Sequence, residues 1–477
     1  MSNTTTLAVQ RIQALLDENS FMEIGSAVTA RSTDFNLTAE KAPSDGVVIG
    51  HGLIDGNLVF VYSQDSSVLN GTIGEMHARK IAHVYDMAVK MGAPVIGLLD
   101  CGGIRLQESF DALSGLGKIY RKMGETSGIV PQIAVVMGNC GGGLSVIPAL
   151  SDFTFVEKEK GHLFLNSPDA VEGNNKSKCD TSAAEFQSTE TGNVDMVGTE
   201  SEIFGAIRAL IPMLPDNNIG KQLSVAAADD LNRACNSMEA MAGDAAYLLS
   251  EIADDHVFFE TKRDFAKQMV TGFIRLNGTT VGVVANNTEI HDDKGEKTDS
   301  FDAVLTARGV EKAAEFVSFC DAFEIPVLTL VNTRGFCSCM CAEKRLAKAM
   351  GRMILTYANA TVPKVTLYLK DALGSAGVVM DSKEVGSDLV YAWKSSKIGM
   401  MDTKLAVKIM YDGESADVLD EKAKEYDALQ GSITAAAARG YVDLVIDPAD
   451  TRKYLAAAFE MLYTKRMDSP YKKHGAK

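Results

Sequence analysis

Two apolar strand patterns recur once along this chain at a fixed spacing, and this repeat constrains the fold more than any other feature. Pro94 opens the continuous apolar run PVIGLLD, and the similar run PVLTLVN opens at Pro326, 232 positions later. Pro131 and Pro363, which open the next apolar run of each half, are also 232 positions apart. One strand pattern often recurs by chance. Two strands in one register indicate two copies of a single α/β unit, fused head to tail.

The same offset relates a glycine turn in each half. Residues 135–152 read VVMGNCGGGLSVIPALSD, an apolar strand followed by three consecutive glycines and a helix-compatible segment. In the second half, Gly374 and Ser375 occupy the places of the second and third glycine. Consecutive glycines cost backbone entropy and indicate that another molecule approaches the main chain closely. Amides at the start of a helix can hold a developing negative charge, so we interpret the turns as two oxyanion holes. The alternative is a tight turn without a ligand.

Strand and helix patterns alternate around these turns. Residues 46–62 predict a hairpin around an Asp-Gly turn, and residues 74–92 predict an amphipathic helix. Such alternation predicts layered α/β domains with an internal duplication. A proline- and asparagine-containing linker followed by a polar helix is expected at residues 211–245, and we place two domains at 1–240 and 241–477. Further predicted elements are helices at 6–16 and 113–123, strands at 94–100 and 131–137, and a second hairpin at 272–284.

Composition narrows the possible partners and compartment. The net charge of −16 over 477 residues argues against nucleic acid and anionic membrane surfaces, which bind basic proteins. No apolar run approaches the roughly 20 residues of a membrane span, and no signal-peptide core precedes the first helix, so we expect a cytoplasmic protein. The eight cysteines lack framework spacing and are expected to be free thiols. Cys337, Cys339 and Cys341 could chelate a soft metal, but ordinary loop thiols are favoured, and no metal site is predicted.

Familiar side-chain catalysts are missing from the sequence. There is no G-x-S-x-G motif, and the run Gly374-Ser375-Ala376-Gly377 does not have its spacing. The seven histidines are scattered, and His77 and His83 are interpreted as packing or helix-surface residues. Two oxyanion turns without a side-chain base suggest a reaction whose reactants supply their own acid and base, while the protein supplies donors and positioning.

Several segments, in order, resemble the biotin-dependent carboxyltransferases, the family of acyl-CoA carboxylase beta subunits and related decarboxylase alpha subunits. The similarity extends over nearly the whole chain, and several independent motifs are more specific than one glycine run. The segments that carry it are residues 74–81, 102–108, 131–152, 259–264, 272–278, 319–323 and 472–475.

The resemblance implies tandem crotonase-like domains in a homo-hexamer, a trimer of dimers. It implies a subunit that moves a carboxyl group between biotin and the α-carbon of a short-chain acyl-CoA. Residues 1–240 would form the acyl-CoA domain and residues 241–477 the biotin domain. The chain has no A-M-K-M biotin-acceptor motif and no room for an ATP-dependent carboxylase domain, so biotin is expected on a separate biotin carboxyl carrier protein.

The family also implies site residues. The amides of Gly142 and Gly143 are expected to hold the thioester oxygen, and those of Ser375 and Ala376 the biotin carbonyl. Arg79 and Lys80 are weaker candidates for contact with CoA phosphates. Further substrate- or cofactor-binding residues are expected at Gly102, Gly103, Arg105, Gly141, Gly374, Gly377 and Val378.

Departures from the family pattern cluster in the second half. Ser375 replaces a usual glycine, where a positive φ would be harder to hold. Gly377 and Val378 replace a usual Tyr-Asp pair, and residues 332–339 read NTRGFCSC where D-x-P-G-F-x-P-G is common. These changes keep two alternatives open: a crotonase-like acyl-CoA enzyme that does not use biotin, and a non-catalytic subunit of a carboxylase complex.

Overall fold

The chain folds into two compact units. The computed structural model describes residues 6–31, 42–219, 227–292 and 294–467, so the motif at 472–475 lies outside it. The units comprise Met1–Lys221 and Gln222–Lys477. Their division falls inside the predicted linker but before residue 240, because Cys235 and Met238 are buried in the core of the second unit. Residues 227–244 form turns, so the polar helix expected in the linker is absent from the described part of that segment.

The first unit is built on one sheet with helices around it. Its central strands are parallel, and an antiparallel hairpin lies at one side. The strands lie in the order β1-β2-β3-β4-β5-β6-β8, and β7 pairs with the end of β5. The elements are α1 Leu7–Leu15, β1 Met22–Ile24, β2 Val47–Ile54, β3 Asn57–Gln64, α2 Glu75–Met91, β4 Val95–Cys101, α3 Ser109–Thr126, β5 Gln132–Gly141, α4 Val146–Leu150, β6 Phe153–Glu157, β7 His162–Phe164, α5 Ala184–Phe186, β8 Met196–Gly198 and α6 Glu200–Leu210.

The second unit repeats this sheet. Its strands lie in the order β9-β10-β11-β15-β17-β18-β20, and β19 pairs with the end of β17 as β7 does with β5. The elements are α7 Ala245–Ile252, β9 Phe258–Thr261, β10 Met269–Leu276, β11 Thr279–Asn286, β12 Glu289–His291, β13 Lys297–Ser300, β14 Val304–Leu305, α8 Ala307–Ala322, β15 Val327–Thr333, β16 Gly335–Phe336, α9 Met340–Asn359, β17 Lys364–Leu373, α10 Gly374–Val379, β18 Leu389–Trp393, β19 Lys397–Gly399, α11 Thr403–Met410, α12 Ala416–Tyr426, α13 Ile433–Ala438, β20 Leu444–Ile446 and α14 Thr451–Leu462. Matching strand orders confirm the predicted duplication.

Local sequence explains why these elements form where they do. Helix α2 has Glu75 in its first turn, which suits the positive end of the helix dipole. It ends at Gly92, whose φ of 63° is left-handed and costs glycine little. Strand β4 is a continuous apolar run because it is central, with neighbours on both sides and both faces covered. Within the described residues, none of the helices has the length and apolarity that crossing a membrane requires.

A buried lysine in each unit repeats the offset found in the sequence. Lys80 donates through Nζ to the carbonyl of Ser44 at 3.1 Å and also to the carbonyl of Val47. Lys312, 232 positions later, donates to the carbonyls of Lys262 and Phe265 at 2.8 and 2.9 Å. Desolvation lowers the pKa of Lys80 to about 8. Each lysine ties its helix to the loop that leads into the sheet, so Lys80 is committed to internal carbonyls and not exposed to CoA phosphates.

Candidate active site: two glycine turns

The first glycine turn lies at the carboxyl end of β5. The strand runs on to Gly141, beyond the predicted end, and residues Gly142–Ser145 then form a short 3₁₀ turn that leads into α4. Gly142 has a left-handed φ of 61°, and a Cβ at this position would meet no atom within 4 Å. The first amides of a helical turn have no acceptor within the helix. The turn therefore presents backbone donors beside open space.

The second glycine turn also begins with a left-handed glycine. Strand β17 ends at Leu373, α10 begins at Gly374, and the φ of Gly374 is also 61°. Ser375 does not adopt a left-handed conformation, so the expected difficulty of a positive φ at this serine does not arise. Ala376 is buried, with 1% of its surface exposed, whereas Val378 is 46% exposed. The sequence departure at Ser375 thus leaves the backbone geometry of the turn intact.

Two of the predicted glycines are explained by close packing. A Cβ at Gly141 would overlap the ring of Phe164 on β7, the short strand that lies beside the end of β5. A Cβ at Gly377 would lie 2.9 Å from the carbonyl carbon of Ala372. Both glycines therefore allow the chain to close up directly next to a turn.

Tyr120 on α3 fixes the peptide of the first turn, and the sequence did not single it out. Its hydroxyl donates to the carbonyl of Gly143, and desolvation raises its pKa. A Cβ at Gly143 would lie 3.1 Å from that hydroxyl and 3.2 Å from Leu116 Cδ2. This contact holds the peptide between Gly143 and Leu144, and the preceding peptide, which carries the Gly143 amide, is held because the Ser145 hydroxyl donates to the Gly142 carbonyl at 2.8 Å. The only signal in the sequence was the predicted helix at 113–123, which placed Tyr120 one turn after Leu116.

The loop after β4 presents backbone atoms. Gly103 has a φ of 121° and open space where a Cβ would stand. A Cβ at Gly102 would lie 3.2 Å from Asn70 Cβ, which is tight. The Cys101 thiol contacts both the carbonyl and the amide of Gly103, at 3.3 and 3.4 Å. This loop is therefore shaped by glycine conformation and by a buried sulfur.

Arg105, predicted to bind substrate or cofactor, has internal partners. Its side chain is 1% exposed, and its guanidinium donates to Asp45, to Glu108 at 2.8 Å and to the Thr72 carbonyl at 2.8 Å. Burial raises the pKa of Asp45, and the nearby Arg105 charge opposes that rise. The geometry places the guanidinium under the loop as an anchor, and leaves the loop backbone as the part that a ligand can reach.

His77 lies in the same buried cluster and is neutral. Its Nδ1 donates to the Asp45 carbonyl at 2.8 Å, so its Nε2 accepts from the Gln64 amide at 3.2 Å. Desolvation lowers the pKa of His77 to about 3. His77 is thus a packing residue, as predicted, because a fully buried ring cannot readily take up a proton.

An ion pair stands next to the second turn. Arg334 Nε lies 2.6 Å from Asp371 Oδ2, near the end of β17 and three residues before Gly374. The Arg334 side chain is 65% exposed, while that of Asp371 is 9% exposed. Arg334 stands where the family motif usually has proline, so this departure brings a guanidinium to the edge of the sheet that carries the turn.

The expectation that all cysteines are free thiols is wrong for one pair. Cys339 and Cys341 are joined by a disulfide. Framework spacing is a sign of disulfides between distant cysteines. Its absence therefore did not exclude a bond between residues two positions apart. Among the described residues, no group of histidine, cysteine or carboxylate side chains is arranged to hold a metal ion. The free cysteines are Cys101, Cys140, Cys179, Cys235, Cys320 and Cys337.

Comparison with known proteins decides the family. The model of the carboxyl transferase domain matches residues 2–476. The chain belongs to the carboxyl transferase family. It is 38% identical over 481 residues to the propionyl-CoA carboxylase beta chain of Roseobacter denitrificans, covering 98% of this chain and 92% of that relative. It is 36% identical over 486 residues to the methylmalonyl-CoA decarboxylase subunit alpha of Propionigenium modestum, with the same two coverages.

A solved structure gives the same result for the fold. The crystal structure of transcarboxylase 12S, described as a hexamer assembly with hydrolysed methylmalonyl-coenzyme A bound, matches with a TM-score of 0.90 and 35% identity. The match covers 98% of this carboxyltransferase chain and 92% of the 12S chain. The predicted family, the duplicated crotonase-like fold and the enzyme class of carboxyltransferase are therefore confirmed.

Proposed function

We propose that this carboxyltransferase moves a carboxyl group between biotin on a carrier protein and the α-carbon of a short-chain acyl-CoA. The observation that carries the proposal is the pair of left-handed glycines, Gly142 and Gly374, at equivalent ends of two matching sheets. Relatives named for propionyl-CoA carboxylation and methylmalonyl-CoA decarboxylation support it. The carboxyl acceptor and donor are thus proposed to be short-chain acyl-CoA thioesters.

The first turn would hold the thioester. When the α-carbon loses a proton or a carboxyl group, negative charge moves onto the thioester oxygen. The amides of Gly142 and Gly143 are neutral donors of fixed direction, because the Ser145 hydroxyl holds the peptide that carries the Gly143 amide and Tyr120 holds the peptide after it. A donor of this kind contributes about 2.7–4 kcal/mol to the transition state. The loop backbone at Gly102 and Gly103, anchored by Arg105, would form part of the acyl-CoA binding surface.

The second turn would hold the biotin carbonyl. The donor set fits such a group, because the amides of Ser375 and Ala376 follow the left-handed Gly374, as the amide of Gly143 follows the left-handed Gly142, and amides suit a neutral urea oxygen. Biotin, when bound, supplies the carboxyl group and the basic nitrogen that these residues lack. The chain's residues would bind the ring oxygen and orient it, and Gly377 would keep α10 close to Ala372 so that the donors stay fixed.

The carrier, the assembly and the compartment complete the proposal. A separate biotin carrier is proposed because the relatives are named as single chains or subunits of a carboxylase or decarboxylase. A homo-hexamer, as a trimer of dimers, is proposed because transcarboxylase 12S is described as a hexamer assembly. A cytoplasmic location stays a prediction. The domain roles, acyl-CoA for the first half and biotin for the second, are proposed with the unit boundary at 221/222.

The biotin-independent and non-catalytic alternatives rested on the changed second turn and on the changed loop at 332–339. Because the left-handed position is Gly374 and not Ser375, the backbone of that turn supports the biotin proposal. Val378 remains a real difference: an exposed valine stands where the family usually has an acidic residue, so the acyl preference of relatives need not hold.

Transfer of labelled carboxyl tests the proposal. The chain is incubated with methylmalonyl-CoA or malonyl-CoA carrying a radiolabelled carboxyl group, together with free biotin. Labelled carboxyl on biotin, dependent on the protein, is the expected result. Binding of acyl-CoA with no transfer from any thioester would favour the biotin-independent alternative, and binding of neither ligand would favour the non-catalytic one.

A further inference from the structure

Three cysteines lie together where β16 leads into α9. Cys337 directly follows β16, Cys339 is the N-cap of α9, and Cys341 is the second residue of that helix. Cys341 is exposed, and Cys337 and Cys339 are partly exposed. The carboxyl-transfer proposal assigns no role to these residues.

The three sulfur atoms are in contact. Cys339 is bonded to Cys341, and the Sγ of Cys337 lies 3.6 Å from the Sγ of Cys339. Cys337 carries a free thiol. A free thiol in contact with one sulfur of an accessible disulfide is the arrangement that thiol–disulfide exchange requires.

We propose that Cys337, Cys339 and Cys341 form a thiol–disulfide exchange site. The Cys337 thiolate attacks the Sγ of Cys339, the bond between Cys337 and Cys339 forms, and the bond to Cys341 breaks. Cys341 leaves as a thiolate and takes up the proton that Cys337 released, so the disulfide moves without net oxidation or reduction. A small dithiol enters the same site by attacking this disulfide: it is oxidised to its cyclic disulfide, and the protein is left with three thiols.

Helix α9 makes the reaction favourable at these positions. It has 20 residues, and its first amides carry the positive end of the helix dipole. The amide of Ala342 donates to the Sγ of Cys339 at 3.3 Å. Cys341 lies in the first turn, where free amides stabilise a thiolate and therefore a leaving group. The backbone of the attacking residue, Cys337, is held outside helix α9, because its amide donates to the Leu305 carbonyl at 2.9 Å.

The site adjoins the second glycine turn. Strand β16, which ends one residue before Cys337, packs against α10, and α10 begins at Gly374. Disulfide bonds inside reducing compartments are typically transient and reactive. The position of the disulfide therefore sets the conformation of a segment that packs beside this turn.

Alkylation with peptide mapping tests the proposal. The full-length chain, without reductant, is treated with iodoacetamide at pH 8, digested and mapped by mass spectrometry. We expect one label per molecule in residues 337–341, on Cys337 in some molecules and on Cys341 in others, with Cys339 unlabelled. Pretreatment with dithiothreitol is expected to raise the number of labels in residues 337–341 from one to three. Exposed Cys179 reports the efficiency of labelling in the same digest.

Two variants separate exchange from simple exposure. Cys337→Ser removes the attacking thiol, so Cys339 and Cys341 stay bonded and the segment takes no label. Cys341→Ser is expected to trap the bond between Cys337 and Cys339 and also take no label. The proposal is overturned if only Cys337 is ever labelled in the unmodified chain, if all three are labelled without reductant, or if Cys341 is labelled in Cys337→Ser.

Discussion

Substitution of Gly142 by alanine tests whether the first glycine turn binds a ligand or has only a structural role. A left-handed alanine costs about 1–2 kcal/mol relative to glycine. The added Cβ meets no protein atom within 4 Å, so no steric term adds to this cost. For a unit of this size the expected fall in Tm is about 2–8 °C. The methyl group would, however, occupy the space from which a thioester oxygen reaches the amides.

The expected effect on activity is much larger than the effect on stability. Loss of one oxyanion donor lowers kcat by about 10²–10³-fold. Gly56→Ala is the matched control, because Gly56 lies in a hairpin turn with a φ of 81° and also has no atom within 4 Å of its Cβ. Both variants are compared by thermal unfolding and by kcat/KM for carboxyl transfer. Equal kcat/KM in the two variants, at equal loss of Tm, would refute the assignment of the first turn.

Three further substitutions test the surroundings of the sites. Tyr120→Phe frees the Gly143 carbonyl, and we expect about a tenfold loss of kcat with a stability loss of about 0.5–1.5 kcal/mol, by kinetics and urea unfolding. Arg105→Leu leaves buried carboxylates without their partner, so a loss of about 3–5 kcal/mol in the free energy of urea unfolding is expected. The loss is smaller at pH 5 than at pH 8, because burial raises the pKa of the Asp45 carboxyl, which then takes up a proton. Desolvation raises the pKa of Asp152 from 3.8 to about 7, so the folded state binds this proton more tightly than the unfolded state. Its contribution is present at low pH and is lost as pH rises from about 4 to about 7, by up to about 1.4 kcal/mol per pH unit. Asp152→Asn should therefore flatten the pH dependence of unfolding over that range, and an unchanged slope would contradict the assigned pKa.

The main elements could be predicted from the sequence because their signals are local. The run that forms β4 is continuously apolar, those that form β15 and β17 are largely apolar, and the helix at 74–92 has a glycine at its end. A single strand pattern could not predict the duplicated fold. The repeat could, because two strands and a turn recur at one offset. The turns themselves were found by their glycines.

Side-chain partners across elements could not be predicted. Arg105 belonged to a motif that suggested ligand binding, yet its guanidinium is buried against Asp45, which lies far away in sequence. Tyr120 and the pair of Arg334 and Asp371 have no local signature, because their meaning comes from which helix or strand lies beside the turn. The sequence could not show which residue of the second turn has the positive φ. The backbone shows that this residue is Gly374 and not Ser375.

Each glycine turn is proposed to serve one reactant. Carboxyl transfer from labelled methylmalonyl-CoA to free biotin is measured over a range of both reactants, for the unmodified chain, Gly142→Ala and Gly374→Ala. We predict a crossed pattern: Gly142→Ala raises KM for the thioester at least tenfold and leaves KM for biotin within twofold, whereas Gly374→Ala does the reverse. If both substitutions change the KM of the same reactant, or if neither substitution changes KM or kcat, the assignment of one reactant to each turn is contradicted.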